Sequence, residues 1–222
     1  MELSPALVLS MWAGGMAGGA AIVAWWRAVG PGFSWLAGAV VGAAGLAAAF
    51  AGDNDFAYVG SAMALSAGVL ARRPRLAAAF FTASALATML GAVLDAAVLP
   101  VFTGAALLGG ITVEMMLGHW YLIDPRLPRW TLQRLDAAAG AGLVSDFLLM
   151  VLGGALDWVP VDAVLGWAFV ALSLMTFLLI IAVWYSLLEP SYTGVMAATG
   201  LSYLAVLTGF GGVVLGRLLT SA

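Results

Sequence analysis

The sequence predicts an all-α integral membrane protein, a bundle of about eight transmembrane helices forming a single polytopic domain over residues 1–222. Two observations support this prediction. Apolar residues make up 64% of the chain and charged residues only 9%, against roughly half and a quarter in a soluble domain. The apolar residues also fall into stretches of about 20 residues, the length that crosses a bilayer as a helix.

Short breaks rich in proline, glycine or charge separate the predicted helices, as at Gly30-Pro31-Gly32 and Asp53-Asn54-Asp55. The third helix is the shortest, so whether it crosses the whole bilayer is an open question. The predicted helices cover approximately residues 5–27, 33–51, 56–71, 77–98, 101–123, 137–156, 162–188 and 193–216.

The arginines set the expected orientation. Seven of the eight follow the first, third or fifth helix, and Arg217 alone lies on the opposite side. Because basic loops stay in the cytoplasm, we expect the N-terminus and the C-terminus outside. A chain rich in alanine, glycine and arginine but without lysine is typical of a GC-rich genome, so we expect the cytoplasmic (inner) membrane of a bacterium.

One pattern suggests a tandem duplication. Leu90–Asp95 resembles Leu152–Asp157, and each precedes a helix that ends in an aromatic pair, Trp120-Tyr121 or Trp184-Tyr185, followed by an acid and a proline. Helices 4–5 and 6–7 are therefore candidates for two copies of one hairpin, since duplication is common in membrane proteins. The alternative is that each helix end carries interfacial aromatic anchors independently.

Missing residue types exclude several chemistries. The chain has no cysteine and no lysine, which excludes disulfides, thiolate metal sites and Schiff-base cofactors. One histidine cannot supply bis-histidine haem ligation. No protease, P-loop or dinucleotide-binding motif is present, so no enzyme activity is predicted. A net charge of −3 without a basic tail argues against nucleic acid as a partner.

Glu114 is the first candidate for a proton- or ion-binding residue, because ionisable groups at membrane depth are costly. At about 100° per residue it shares one helix face with Gly110, Gly118 and Tyr121, and Tyr121 is a further candidate for proton or ion binding on that face. Glycines admit a neighbouring helix, so this face is expected inside the bundle. The alternative is a neutral glutamic acid that only holds helices together.

Asp146 and Asp95 are the second and third candidates. Asp146 lies in the middle of the sixth predicted helix. Asp95 follows Ser84 and Thr88 on one stripe of the fourth helix but lies near its outer end, where an aspartate can simply face water.

His119, the only histidine, lies about one turn inside the cytoplasmic boundary, with Met115 on its face and Glu114 on another. Three interpretations are open: an interfacial anchor, a proton relay, since histidine changes charge near neutral pH, or an axial ligand of a haem, with Met115 as a second ligand. The sequence requires no cofactor.

The segment after the fifth helix is a candidate for contact with lipid headgroups or a partner protein. The contact residues proposed from it are Arg126, Arg129, Arg134, Trp120 and Trp130. Besides the bilayer, the expected partners are other membrane subunits or a second copy of the chain.

Three functions compete at this point. The buried carboxyls favour transport or relay of protons or a small cation. The short loops and small residues also suit a subunit of a larger respiratory or redox complex, structural or carrying one haem-like cofactor on His119. A lipid-modifying enzyme would need two acids that converge on one site.

Overall fold

The computed structural model describes residues 4–124, 127–155 and 163–221. Within these ranges the chain forms eight α-helices and no strand. Seven of the helices are long and apolar enough to cross a membrane, so the chain is a multi-pass membrane protein and the prediction of an all-helical bundle is confirmed. The helices are α1 (Pro5–Trp26), α2 (Pro31–Gly52), α3 (Asp55–Val69), α4 (Pro74–Asp95), α5 (Val98–Ile123), α6 (Trp130–Leu152), α7 (Ala163–Leu188) and α8 (Tyr192–Ser221).

Proline begins three of these helices, at Pro5, Pro31 and Pro74. Its fixed φ suits the first helical turn, where the missing N–H has no intrahelical partner. Helix α3 begins differently, because the side chain of Asn54 accepts a hydrogen bond from the Ala57 N–H at 3.2 Å. At 15 residues, α3 is about 22 Å long, shorter than the roughly 30 Å hydrocarbon core.

The predicted bounds of two helices were wrong in ways that affect the site. Helix α6 begins at Trp130 rather than near residue 137, because charged residues before Ala137 were assigned to a loop. Helix α8 continues to Ser221 rather than ending near residue 216. Asp136 and Arg217 therefore belong to helices, and both are buried.

The eight helices pack as two groups of four. In the N-terminal half, α1–α4, each helix packs on the next and α4 closes back onto α1. In the C-terminal half, α5–α8, α5 packs on α6, α7 on α8 and α8 on α5, whereas α6 and α7 contact each other only lightly. Helices α4 and α5 scarcely touch, so α1 and α5 form the main contact between the halves.

Glycines bring α1 and α5 together. A Cβ atom at Gly15 would overlap the backbone carbonyl of Ala105, and one at Gly109 would overlap the backbone of Gly15. Because these positions lack side chains, the two backbones approach closely, as in other membrane helix pairs. One polar contact adds to the packing, since the Trp12 indole N–H donates to the Thr112 hydroxyl at 2.8 Å.

Candidate functional site

Glu114 lies where α5 meets both α6 and α8. On the same face of α5, Gly110 admits Ala139 of α6, and Gly118 admits Thr199 of α8: a Cβ at these glycines would lie 3.0 and 2.5 Å from the neighbouring side chains. The Glu114 side chain between them is 1% exposed. The face of α5 that carries Gly110, Glu114 and Gly118 is therefore buried, as the sequence predicted, and the acid is enclosed by α5, α6 and α8.

A second acid, Asp136 of α6, lies near Glu114. It is 4% exposed, and it lies about one turn from Ala139, the residue that faces Gly110, on the side of that contact where Glu114 lies. Each acid has one buried oxygen without a hydrogen-bond partner in the described part of the chain, Oε1 of Glu114 and Oδ2 of Asp136. We call Glu114 and Asp136 the carboxyl pair. A buried polar atom without a partner is costly, and such atoms are often functional.

Ser202 of α8 links the carboxyl pair to the rest of the bundle. Its hydroxyl is in hydrogen-bond contact with Oε2 of Glu114 and also lies 2.8 Å from the Ala198 carbonyl. A serine hydroxyl has one hydrogen, so it cannot donate to both. When Ser202 donates to Ala198, a protonated Glu114 can donate to Ser202; when Ser202 donates to Glu114, the acid needs no proton. The two arrangements differ by one proton on Glu114 and by the direction in which the Ser202 hydroxyl donates.

A third buried acid, Asp146, belongs to a separate cluster closer to the other end of α6. Arg217 of α8 donates to both oxygens of its carboxylate at 2.6 Å. Thr103 of α5 donates to Oδ1 at 2.7 Å, and Arg217 also donates to the Pro100 carbonyl at 2.5 Å. We call Asp146 and Arg217 the ion pair. Burial of a charge requires such pairing and hydrogen bonding.

A small cavity borders the ion pair on the side of α7. Its volume is about 10 Å³ and its polar lining comprises Asp146, Ser173 and Thr176. This is about the space that one water molecule needs. Thr176 in turn donates to the Thr208 hydroxyl of α8 at 2.8 Å. Polar groups therefore continue from the ion pair toward the middle of α7 and α8.

The described residues around the α5–α6 connection that were predicted to meet lipid or a partner make contacts within the bundle. The Arg129 guanidinium donates to the Tyr121 hydroxyl at 3.3 Å and to the carbonyls of residues 189–191 that connect α7 to α8. Arg134 lies over the rings of Trp26 and Trp130, at 5.8 and 4.8 Å from their centroids. Arg129 and Tyr121 therefore join α5, α6 and the α7–α8 connection.

The remaining predicted residues lie apart from the carboxyl pair. Asp95 ends α4 and is exposed, and His119 is exposed on α5, with Met115 half-buried one turn away. Trp120 packs on the start of α2 beside Gly32, and Arg126 is outside the described residues. Haem ligation by His119 and Met115 remains a prediction, and their outward position does not provide a buried cradle for such a group.

Sequence reasoning missed two members of these clusters. Asp136 was placed in a loop, although Leu132, Leu135 and Ala139 around it have helical spacing and are buried. Arg217 was counted as an external loop charge that contradicted the orientation rule. A lone arginine within a helical stretch at the depth of Asp146 was the available signal for an ion pair.

Comparison with known proteins gives no relative from which a function could be transferred. No protein-family model matches the sequence, and no curated protein or solved structure is significantly similar to it.

Proposed function

We propose that this protein carries protons across a membrane, with the carboxyl pair as the site that takes up and releases them. The observation that carries this proposal is that Glu114 and Asp136 are buried at the same level of the neighbouring helices α5 and α6, each with an oxygen that lacks a partner among the described residues. In a low-dielectric interior, two nearby carboxyls disfavour simultaneous ionisation. A shared, exchangeable proton resolves that conflict.

The polar groups of the C-terminal half supply a direction for the transfer. Asp136 lies six residues from the start of α6, about 9 Å along the axis, and Glu114 lies nine residues from the end of α5. The Ser202 hydroxyl contacts Glu114 at the inner side of the pair, and the Thr208–Thr176 pair and the water-sized cavity lie farther along. The route then meets the ion pair near the far end of the bundle.

The ion pair has a separate role in this proposal. The Asp146 carboxylate compensates the charge of Arg217, so the pair adds no net charge to the route and instead joins α5, α6 and α8. Among the described residues no group of three or more acidic or histidine side chains could hold a metal ion. Proton transfer, which moves by exchange between hydrogen-bonded groups, is therefore favoured over transport of a small cation.

The orientation proposed with this function has both termini outside, in the cytoplasmic membrane of a bacterium. The arginine distribution supports it. Arg217, the exception in the sequence, is buried and paired with Asp146, so it does not count among the loop charges that orient the chain. The carboxyl pair then lies in the cytoplasmic half and the ion pair in the outer half.

Helix packing supports a different internal repeat from the predicted hairpin duplication. Gly14-Gly15 of α1 and Gly109-Gly110 of α5 are each followed, at the same spacing, by an aromatic pair, Trp25-Trp26 or Trp120-Tyr121. Both helices begin a group of four. We propose that the two halves are parallel copies of one four-helix unit. In this alignment Gly19 occupies the position of Glu114, so the acid belongs to one copy only.

Proton flux into liposomes tests this function. The purified protein is reconstituted with an internal pH indicator, and a potassium gradient with valinomycin drives protons inward. We expect wild-type vesicles to acidify faster than empty ones. Glu114→Gln should lower the protein-dependent rate at least about tenfold, because an amide cannot take up and release the proton.

Asp95→Asn is the matched control, since it removes an exposed acid outside the proposed route. Its rate should equal that of the wild type. Equal rates for Glu114→Gln and the wild type, in preparations with the same helical content, would refute the assignment. A wild-type rate equal to that of empty vesicles would also refute it.

A further inference from the structure

A groove runs between α6 and α7, the lightly packed pair of the C-terminal half. Its cytoplasm-proximal part has a volume of about 580 Å³, and a second part of about 280 Å³ continues toward the other end of the helices. Val144 and Phe177 line both parts. Both residues are exposed on the bundle surface, so the groove opens sideways toward the lipid.

The groove combines an apolar wall with a single carboxyl. Ile180 and Ile181 of α7 face small residues of α6, including Ala141, along its larger part. Asp136 is the only acid that lines this part, and its Oδ2 atom is buried without a hydrogen-bond partner in the described chain. The wall suits a hydrophobic body of drug size, and the unpartnered oxygen favours a positively charged group.

Two aromatic side chains stand at the same end of the groove as the carboxyl. Trp184 and Tyr185 of α7 line it together with Asp136. Aromatic faces attract cations, most strongly where water is excluded. A ligand that places its charge near Asp136 therefore meets both the carboxylate and the electron-rich rings.

The neighbouring basic side chains do not neutralise this carboxyl. Arg129 is bound to Tyr121 and the α7–α8 connection, and Arg134 lies over two tryptophan rings. No ion pair to Asp136 occurs among the described residues. Besides these arginines, the titratable groups near Asp136 are Glu114 of α5, which is also a carboxyl, and Tyr185 of α7.

We propose that the α6–α7 groove binds an amphipathic organic cation, with the cationic centre at Asp136 and the apolar body along α7 beyond Phe177. This inference rests on the proposed proton function, because it names the class of ligand that competes with the proton for the carboxyl pair. When the cation binds, the Asp136 O–H bond breaks, the proton passes to a solvent water at the Asp136 end of the groove, and the cation takes its place beside the carboxylate. Charge is balanced, since one positive charge replaces another.

Binding of tetraphenylphosphonium tests the proposal. The full chain is placed in nanodiscs of zwitterionic phosphatidylcholine, and binding is measured by equilibrium dialysis against empty nanodiscs. We expect saturable binding of one cation per chain. Asp136→Asn should weaken it at least about tenfold, because the amide loses the charge interaction. Asp95→Asn should bind as the wild type does.

A second variant addresses the groove without altering the acid. Ala141→Trp places a bulky ring in the groove from an exposed position, where folding is little affected, and should also abolish saturable binding. Ala83→Trp, an exposed position on α4, is its control and should bind normally. Tetraphenylborate has the same shape and the opposite charge, so it should show no saturable binding.

Three results would overturn the proposal: no saturable phosphonium binding by the wild type, equal binding by Asp136→Asn, or equal binding of tetraphenylborate. The last would identify the groove as a place for lipid chains only. The binding assay uses no proton gradient, and the flux assay uses no organic cation. Flux that depends on Glu114 without cation binding would therefore refute this inference alone, whereas cation binding without flux would refute the proton function alone.

Discussion

Removing one or the other partner of the buried ion pair between α6 and α8 should lower the free energy of unfolding by different amounts. Asp146→Asn removes a negative charge and leaves the Arg217 guanidinium in the bundle, where it cannot release its proton. Arg217→Met leaves the Asp146 carboxyl instead, which can become neutral by taking up a proton and keeps its hydrogen bond from Thr103. We therefore expect the aspartate variant to be the less stable of the two.

The geometry sets the size of the effect. Arg217 makes two hydrogen bonds of 2.6 Å to the carboxylate, which places the charge centres about 4 Å apart. At an effective dielectric constant of about 20, unit charges at that distance interact by about 4 kcal/mol. Breaking a buried pair by removing one partner costs about 3–5 kcal/mol. We expect a loss of about 4 kcal/mol for Asp146→Asn and about 2 kcal/mol for Arg217→Met.

The double variant measures the coupling. Because Asp146→Asn and Arg217→Met together leave no charge at this site, the double variant should lose only about 1–2 kcal/mol, so that its loss is about 4–5 kcal/mol smaller than the sum of the single losses. The free energy of unfolding is measured by titrating sodium dodecyl sulfate into mixed micelles of lipid and detergent and following tryptophan fluorescence. Additive single losses, or a larger loss for Arg217→Met than for Asp146→Asn, would refute the reasoning.

Two further predictions concern packing and the single histidine. Gly15→Ala should lower the free energy of unfolding by about 1–3 kcal/mol, because its Cβ overlaps the Ala105 carbonyl. Gly18→Ala, with open space at its Cβ, should raise it by up to about 1 kcal/mol. The same micelle titration compares the two variants, and equal free energies of unfolding would contradict the close helix contact. His119→Ala should change the free energy of unfolding by less than about 0.5 kcal/mol, because the side chain is exposed. If the purified wild type shows a Soret band that this variant removes, the redox-subunit function is favoured over proton transfer.

The sequence was sufficient for features that depend on local pattern. Apolar stretches identified the membrane helices, because length and composition alone determine whether a helix can cross a bilayer. Helical periodicity placed Glu114 on the face of Gly110 and Gly118, and that face is buried against α6 and α8. Both inferences use neighbours within a few turns of one helix.

The rest of the candidate site depends on contacts between distant segments. Asp136 looked like a loop residue because charged residues cluster before it, and only the packing of α5 against α6 places it at the level of Glu114. Arg217 and Asp146 are 71 residues apart in sequence. No periodicity links such a pair, so its existence follows from the arrangement of α6 and α8 and not from either helix alone.

The glycine contact between α1 and α5 also limits how the protein can move. With the Gly15 and Gly109 backbones in direct contact, sliding or rotation of α1 against α5 would drive side chains into backbone, so these two helices move as one unit. Helix α8 is held to α5 and α6 by Ser202 and the ion pair. The seam between α6 and α7 has no comparable interlock. We therefore expect any conformational cycle to open this seam while α1 and α5 stay together.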